Sequence, residues 1–170
     1  KLFTPKVLQL SQKHRDRKKW ELPLDFIPEL KAMCHTYGVK FGCTPFYLEA
    51  VAELEPYVDF YKVASYELIW DDLLLEVSKR GKPTVISTGM ATLDEVAKAT
   101  LWFRDMDLTL LHCVSSYPSL ERESNLKAIQ TMLTVFGYSV GWSDHSRSPA
   151  VIYRAVHHWG AEMIEFHFDL

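Results

Sequence analysis

Two stretches of this sequence end an apolar, strand-like run on a histidine: "VGWSDHS", Val140–Ser146, and "MIEFHFDL", Met163–Leu170. Each histidine has a carboxylate close by, Asp144 next to His145 and Glu165 two residues before His167. A single histidine at a strand end is ordinarily a hydrogen-bonded structural residue. Two brought to one place, with carboxylates at hand, form a donor set suited to manganese, iron or zinc, and two protein ligands leave positions open for water or substrate. A third stretch, "DFYKVAS" (Asp59–Ser65), places Lys62 inside another apolar run. An ammonium is costly to bury without a partner, so Lys62 either snorkels outward or meets an anion. With Ser65, Ser87 and Ser143 at the ends of neighbouring runs, one cation and several hydroxyls make a cradle for a phosphate. Pairing with Glu67 is a plainer role for Lys62 and a Schiff base with a keto substrate a third; spacing alone does not choose among them.

These residues need elements that bring them together. Short β-rich runs recur at "VKFGCT" (Val39–Thr44), "DFYKVAS", "PTVIST" (Pro83–Thr88), "LTLLHCV" (Leu108–Val114), "YSVGWS" (Tyr138–Ser143) and "EMIEFHF" (Glu162–Phe168). Between them lie segments of helical spacing. One runs from Pro23 and ends on Gly38, one from Ser65 and ends on Gly81, and one starts at Thr92 with Glu95 three residues on, a capping-box pattern. Strand starts fall roughly 20 to 30 residues apart, the period of a parallel sheet with a crossover helix after each strand. Six such units are two short of a (β/α)8 barrel, which takes about 250 residues. An open doubly wound sheet commonly carries a G-x-G-x-x-G turn, and none is present. In a barrel the C-terminal strand ends converge on one face, so His145 and His167 would share a mouth with Thr44, Lys62, Ser65, Glu67, Ser87, Ser115, Tyr117, Ser143, Asp144 and Glu165. The remaining histidines are weaker candidates: His112 falls inside an apolar strand and suits a satisfied buried role, and His14, His35, His157 and His158 suit the surface.

Composition excludes several classes. The chain has 170 residues, 48% hydrophobic, with a formal net charge of -3, so it can bury a core and is a poor polyanion binder. The basic stretch "SQKHRDRKKW" within Lys1–Trp20 has no clear period and reads as a solvated loop rather than a nucleic-acid patch. No apolar run reaches the length of a membrane span and no signal peptide is visible, which leads to an expectation of a cytoplasmic protein. Cys34, Cys43 and Cys113 form no C-x-x-C pair and read as free thiols.

Six motifs, "CTPF" (Cys43–Phe46), "KVASYE" (Lys62–Glu67), "ISTGM" (Ile86–Met90), "LLHCVSSYP" (Leu110–Pro118), "GWSDH" (Gly141–His145) and "EFHF" (Glu165–Phe168), resemble in order and spacing the barrel domain of the sialic acid synthase family. That family comprises N-acetylneuraminate, legionaminate and pseudaminate synthases. The resemblance implies a TIM barrel present as about six strand–helix units lacking the first two strands. It divides the chain into a loop and helix at 1–37 and a partial barrel at 38–170, with no antifreeze-like C-terminal domain. It also implies condensation of phosphoenolpyruvate with an N-acetylmannosamine-type sugar, or with a diacetamido sugar in the pseudaminate and legionaminate branches. The cofactor it implies is a divalent metal, most often Mn2+, with Mg2+ or Co2+ as alternatives, and the parent protein it implies is a homodimer.

Carried over residue by residue, the resemblance assigns Lys62, Ser65, Ser87 and Ser143 to phosphoenolpyruvate and His145 and His167 to the metal. Glu67 and then Glu165 are the expected catalytic carboxylates, Ser115 and Tyr117 the sugar-pocket residues, and Asp144 a support behind the metal. A Schiff-base lyase centred on Lys62 and a non-catalytic metal-binding relic are the alternatives. In the family the first two strands carry a further glutamate, a lysine and an asparagine of the site, so this chain alone is expected to be inactive. Two residues depart from the family pattern. Phe166 stands where a lysine or arginine is usual, and strand alternation would send it away from the site. Tyr66 replaces a glycine found in many neuraminate synthases and brings "KVASYE" closer to the pseudaminate form.

Overall fold

A computed structural model describes residues 4–168. Lys1–Phe3, which open the basic segment, and Asp169 and Leu170, which close the last histidine motif, lie outside the described residues. The segment expected to be a loop instead contains two short helices, α1 (Pro5–Leu10) and α2 (Gln12–Lys18). Both are set by capping rather than by an apolar period: the Thr4 hydroxyl accepts the Val7 amide with Pro5 opening the helix, and the Ser11 hydroxyl accepts the His14 amide. Neither helix buries a residue, so the segment is solvated as expected.

From there strands and helices alternate. Helix α3 (Phe26–Thr36) leads to β1 (Gly42–Cys43), α4 (Leu48–Leu54), β2 (Phe60–Val63), α5 (Asp71–Ser78), β3 (Thr84–Ser87) and α6 (Leu93–Thr100). Then come β4 (Leu108–Cys113), α7 (Lys127–Phe136), β5 (Ser139–Asp144), α8 (Pro149–His157) and β6 (Ile164–Phe166). The capping box at α6 is formed in full: the Thr92 amide donates to Glu95 Oε2 at 2.7 Å and the Glu95 amide to Thr92 Oγ1 at 3.3 Å. Gly38 and Gly81 take the left-handed conformation just beyond α3 and α5, as their positions suggested.

All six strands are parallel and lie in sequence order, β1-β2-β3-β4-β5-β6. A doubly wound sheet would reverse direction partway, so this order is that of a singly wound barrel. The sheet is strongly curled. Neighbouring strands lie about 4.8 Å apart, so β2 and β6 in a flat sheet would stand about 19 Å from one another. Yet Lys62 on β2 reaches Glu165 on β6 at 3.5 Å. The result is an open, six-stranded part of a (β/α)8 barrel.

Alternation along the strands sorts the two faces. Tyr61, Val63, Ile86, Leu110, Val140 and Trp142 face the helices and form a core with Leu73, Leu74, Val77, Val96 and Ile129. Lys62, Ser87, Ser143 and Glu165 occupy the concave face. Burying apolar surface on the helix side therefore fixes the register that turns the polar residues inward.

Candidate active site at the strand ends

A cavity of about 340 Å³ opens at the C-terminal ends of the strands. Lys62, Ser65, Ser87, Ser115, Tyr117, Ser143, His145, Glu165 and His167, all singled out from the sequence, line it. Lys62 Nζ donates to Ser87 Oγ at 2.7 Å and to the Val63 carbonyl at 3.1 Å, and lies 3.5 Å from Glu165 Oε2. Burial pushes its ammonium below the usual lysine range, and the charge of Glu165 opposes that shift. On the other side of the same carboxylate Ser143 Oγ donates to Glu165 Oε1 at 2.7 Å. One row of polar contacts, Ser87–Lys62–Glu165–Ser143, with an ion pair at its centre, thus crosses the barrel floor from β3 to β5.

The two histidines stand at the rim beyond the last residues of β5 and β6. His145 Nδ1 lies 2.8 Å from the Val114 carbonyl, which can only accept, so that nitrogen carries the proton and Nε2 keeps its lone pair, able to bind a cation. The His145 and His167 ring centroids are 5.3 Å apart. Tyr117 packs against both, at 4.1 Å from His145 and edge-on at 5.7 Å from His167. Imidazoles at that spacing, one with its tautomer pinned by a carbonyl, fit a divalent cation with coordination positions to spare. Among the described residues no group of three or more His, Cys, Asp or Glu side chains converges into a complete metal cage.

Two expected site residues do not line the cavity wall. Glu67 sits on a 3-10 turn, Ser65–Glu67, with Oε2 buried and without a hydrogen-bond partner, and burial raises its carboxyl above the usual range. Asp144 is buried on the helix side of β5, where Oδ1 accepts the Trp142 indole at 3.0 Å and the Ser146 hydroxyl at 2.7 Å. It shapes the turn that carries His145. His112 is a satisfied histidine, its Nε2 at 2.9 Å from the Ser124 carbonyl and its ring against Trp142.

Further residues complete the wall. Thr44, Tyr66 and Phe166 line the cavity, Phe166 despite alternation, because β6 is an edge strand that ends there. Cys113, read as a plain buried thiol, also lines it, 3.3 Å from Ser65 Oγ. Its place one residue before the polar "VSS" end of β4 was the available signal. A second cavity, about 370 Å³, lies beyond Cys113 between α6 and α7. Its wall brings together no row of charged groups and no histidine pair, so the chemistry belongs to the first.

Fold and site together define a barrel-type domain with a lysine–carboxylate row and a histidine pair at the strand ends. The NeuB family model matches residues 6–170, and the chain belongs to that family. It is 37% identical over 158 residues to the N,N'-diacetyllegionaminic acid synthase of Campylobacter jejuni, across 89% of this chain and 47% of that protein. To the pseudaminic acid synthase of Helicobacter pylori it is 34% identical over 156 residues, across 89% of this chain and 46% of the relative. The crystal structure of N-acetylneuraminic acid synthetase from Leptospira borgpetersenii, in complex with citrate, superposes with a TM-score of 0.82 at 32% identity. That match covers 86% of this chain and 53% of that one. The chain thus spans about half the length of the relatives it matches. Among the described residues no helix is long and apolar enough to cross a membrane.

Proposed function

We propose that this chain is the strand-end portion of a nonulosonic acid synthase, which joins phosphoenolpyruvate to an N-acetylated amino sugar and releases phosphate. The observation that carries the reading is the row Ser87–Lys62–Glu165–Ser143 facing the same cavity as His145 and His167. A cation with hydroxyl donors, a carboxylate and an open metal site are what this reaction needs side by side.

Lys62, Ser65, Ser87 and Ser143 hold the phosphate and carboxylate of phosphoenolpyruvate, trading the Lys62–Glu165 contact for contacts with the ligand. A divalent cation held by His145 and His167, Mn2+ by preference over Mg2+ or Co2+, supplies Lewis acidity to the aldehyde oxygen of the open-chain sugar when bound. Tyr117 and Ser115 border the sugar beside that rim. The enol carbon of phosphoenolpyruvate forms the new carbon–carbon bond with the aldehyde carbon. Water then adds to the adjacent cationic carbon and gives up a proton, and phosphate leaves by cleavage of its carbon–oxygen bond. Glu165 lines the cavity next to Lys62, so we assign it that proton, ahead of Glu67.

The names of the relatives support an N,N'-diacetylated sugar as readily as N-acetylmannosamine. Tyr66 at the cavity wall is in keeping with the pseudaminate-type form. By the same resemblance the full-length protein is a homodimer, and its use of phosphoenolpyruvate fits the cytoplasm.

The test is an assay of phosphate release by the full-length protein, with Mn2+, a panel of mono- and diacetamido sugars, and phosphoenolpyruvate carrying 18O in its bridging position. Sugar-dependent phosphate that retains the label supports the reading and names the sugar. Unlabelled phosphate, or covalent trapping of Lys62 by borohydride with a keto substrate, would overturn it in favour of a phosphatase or a Schiff-base lyase.

A further inference from the structure

Gly89, in the "ISTGM" motif, has no role in the mechanism above, yet three cavity side chains crowd its Cα. A Cβ built there would lie 2.8 Å from Cys113 Sγ and 2.9 Å from Ser65 Oγ, with Ser115 Oγ closer still. Its backbone is not left-handed, so glycine is needed for space alone. Through that space the Gly89 amide donates to Ser65 Oγ at 3.1 Å, and Cys113 Sγ approaches the same oxygen at 3.3 Å.

A serine hydroxyl has one proton and two lone pairs. The Gly89 amide occupies one lone pair. The thiol can occupy the other as a donor, and then the only capacity left to Ser65 is its own O–H, directed at whatever lies in the cavity. Burial raises the Cys113 thiol, which keeps its proton available for this purpose.

We infer that Gly89 and Cys113 are positioning residues: together they fill the acceptor side of Ser65 and turn its hydroxyl into a dedicated donor for an anion. The inference rests on the phosphoenolpyruvate reading, and predicts that Cys113 acts only through Ser65.

A double-mutant cycle on the full-length protein tests it, with turnover and calorimetric binding of both phosphoenolpyruvate and inorganic phosphate as readouts. Cys113→Ala is expected to raise the KM for phosphoenolpyruvate and the Kd for phosphate about three- to tenfold with kcat little changed, the effect of losing one modest hydrogen bond. Cys113→Ser, which restores an O–H donor, should recover most of that loss. In a Ser65→Ala background Cys113→Ala should add less than about twofold, since no hydroxyl remains to orient. Equal effects of Cys113→Ala with and without Ser65, or a normal KM in Cys113→Ala, would overturn the inference. A wild type that binds phosphate with the coupling intact but never turns over would overturn the synthase reading and leave the inference standing.

Discussion

Lys62 carries more of the site than any other residue, and its environment dictates a pH dependence. Holding an anion requires the ammonium, and burial has lowered its pKa below the usual 10.5. Affinity for phosphoenolpyruvate should therefore fall as pH rises toward 10.5, starting below the range in which an exposed lysine would titrate. In Lys62→Arg the decline should vanish, because guanidinium stays charged. Calorimetric titration across that range checks both, and an identical slope in the arginine variant would remove Lys62 from the anion site.

Glu67 gives a prediction of opposite kind. Burial raises its carboxyl above 4.5, so between that value and the raised one the native state binds more protons than the unfolded chain. Stability contributed by Glu67 is present below about 4.5 and is lost as pH climbs through the raised value. Thermal midpoints over this window should decline with pH in the wild type and less so in Glu67→Gln; parallel profiles would show that the burial of Glu67 costs nothing.

The individual site residues could be picked from the sequence because polar groups at the ends of apolar runs are conspicuous. What joins them could not. The Lys62–Glu165 contact spans β2 to β6 and exists only because the sheet curls. For the same reason a local reading could not see that Cys113 would reach the cavity wall beside Ser65.

At the scale of elements, each of the six strands falls on one of the six runs read from the sequence, β5 reaching one residue further to Asp144, since strands of a parallel sheet covered on one face by helices and crowded on the other stay apolar along their length. The helices α1 and α2 had no such signal; their caps, Thr4 and Ser11, are single residues in an aperiodic polar stretch. Strand packing also explains the glycine of "GWSDH". A Cβ on Gly141 of β5 would run into the Met163 carbonyl at the start of β6 and lie 2.7 Å from Leu111 Cδ2 on β4. Backbone cannot yield as a side chain can. Gly141→Ala should destabilise the fold by about 1 to 3 kcal/mol, in the range of overpacked cores, and shift β6 with Glu165 and His167. Denaturant unfolding measures this, and a variant of wild-type stability would mean that β6 is held more loosely than its pairing with β5 implies.

For the whole molecule, the curl decides where the exposed surface lies. Among the described residues β1 and β6 pair on one side only, and Leu10, Trp20 and Phe26 are exposed apolar side chains. Open parallel edges and exposed apolar side chains invite association with another chain. The 170-residue chain on its own is expected to self-associate, as light scattering coupled to size-exclusion chromatography would show; a monodisperse monomer would mean that these edges are protected in a way the strand order does not reveal.

The central claim joins the anion row to the histidine pair in one reaction. The most direct measurement is sugar-dependent phosphate release from phosphoenolpyruvate by the full-length protein with Mn2+, compared between wild type and His145→Ala. The account predicts release in the wild type, a loss of at least about a hundredfold in the variant, and retained phosphoenolpyruvate binding, because Lys62 and Ser87 are untouched. Undiminished release in a folded His145→Ala, or loss of phosphoenolpyruvate binding along with activity, would contradict it.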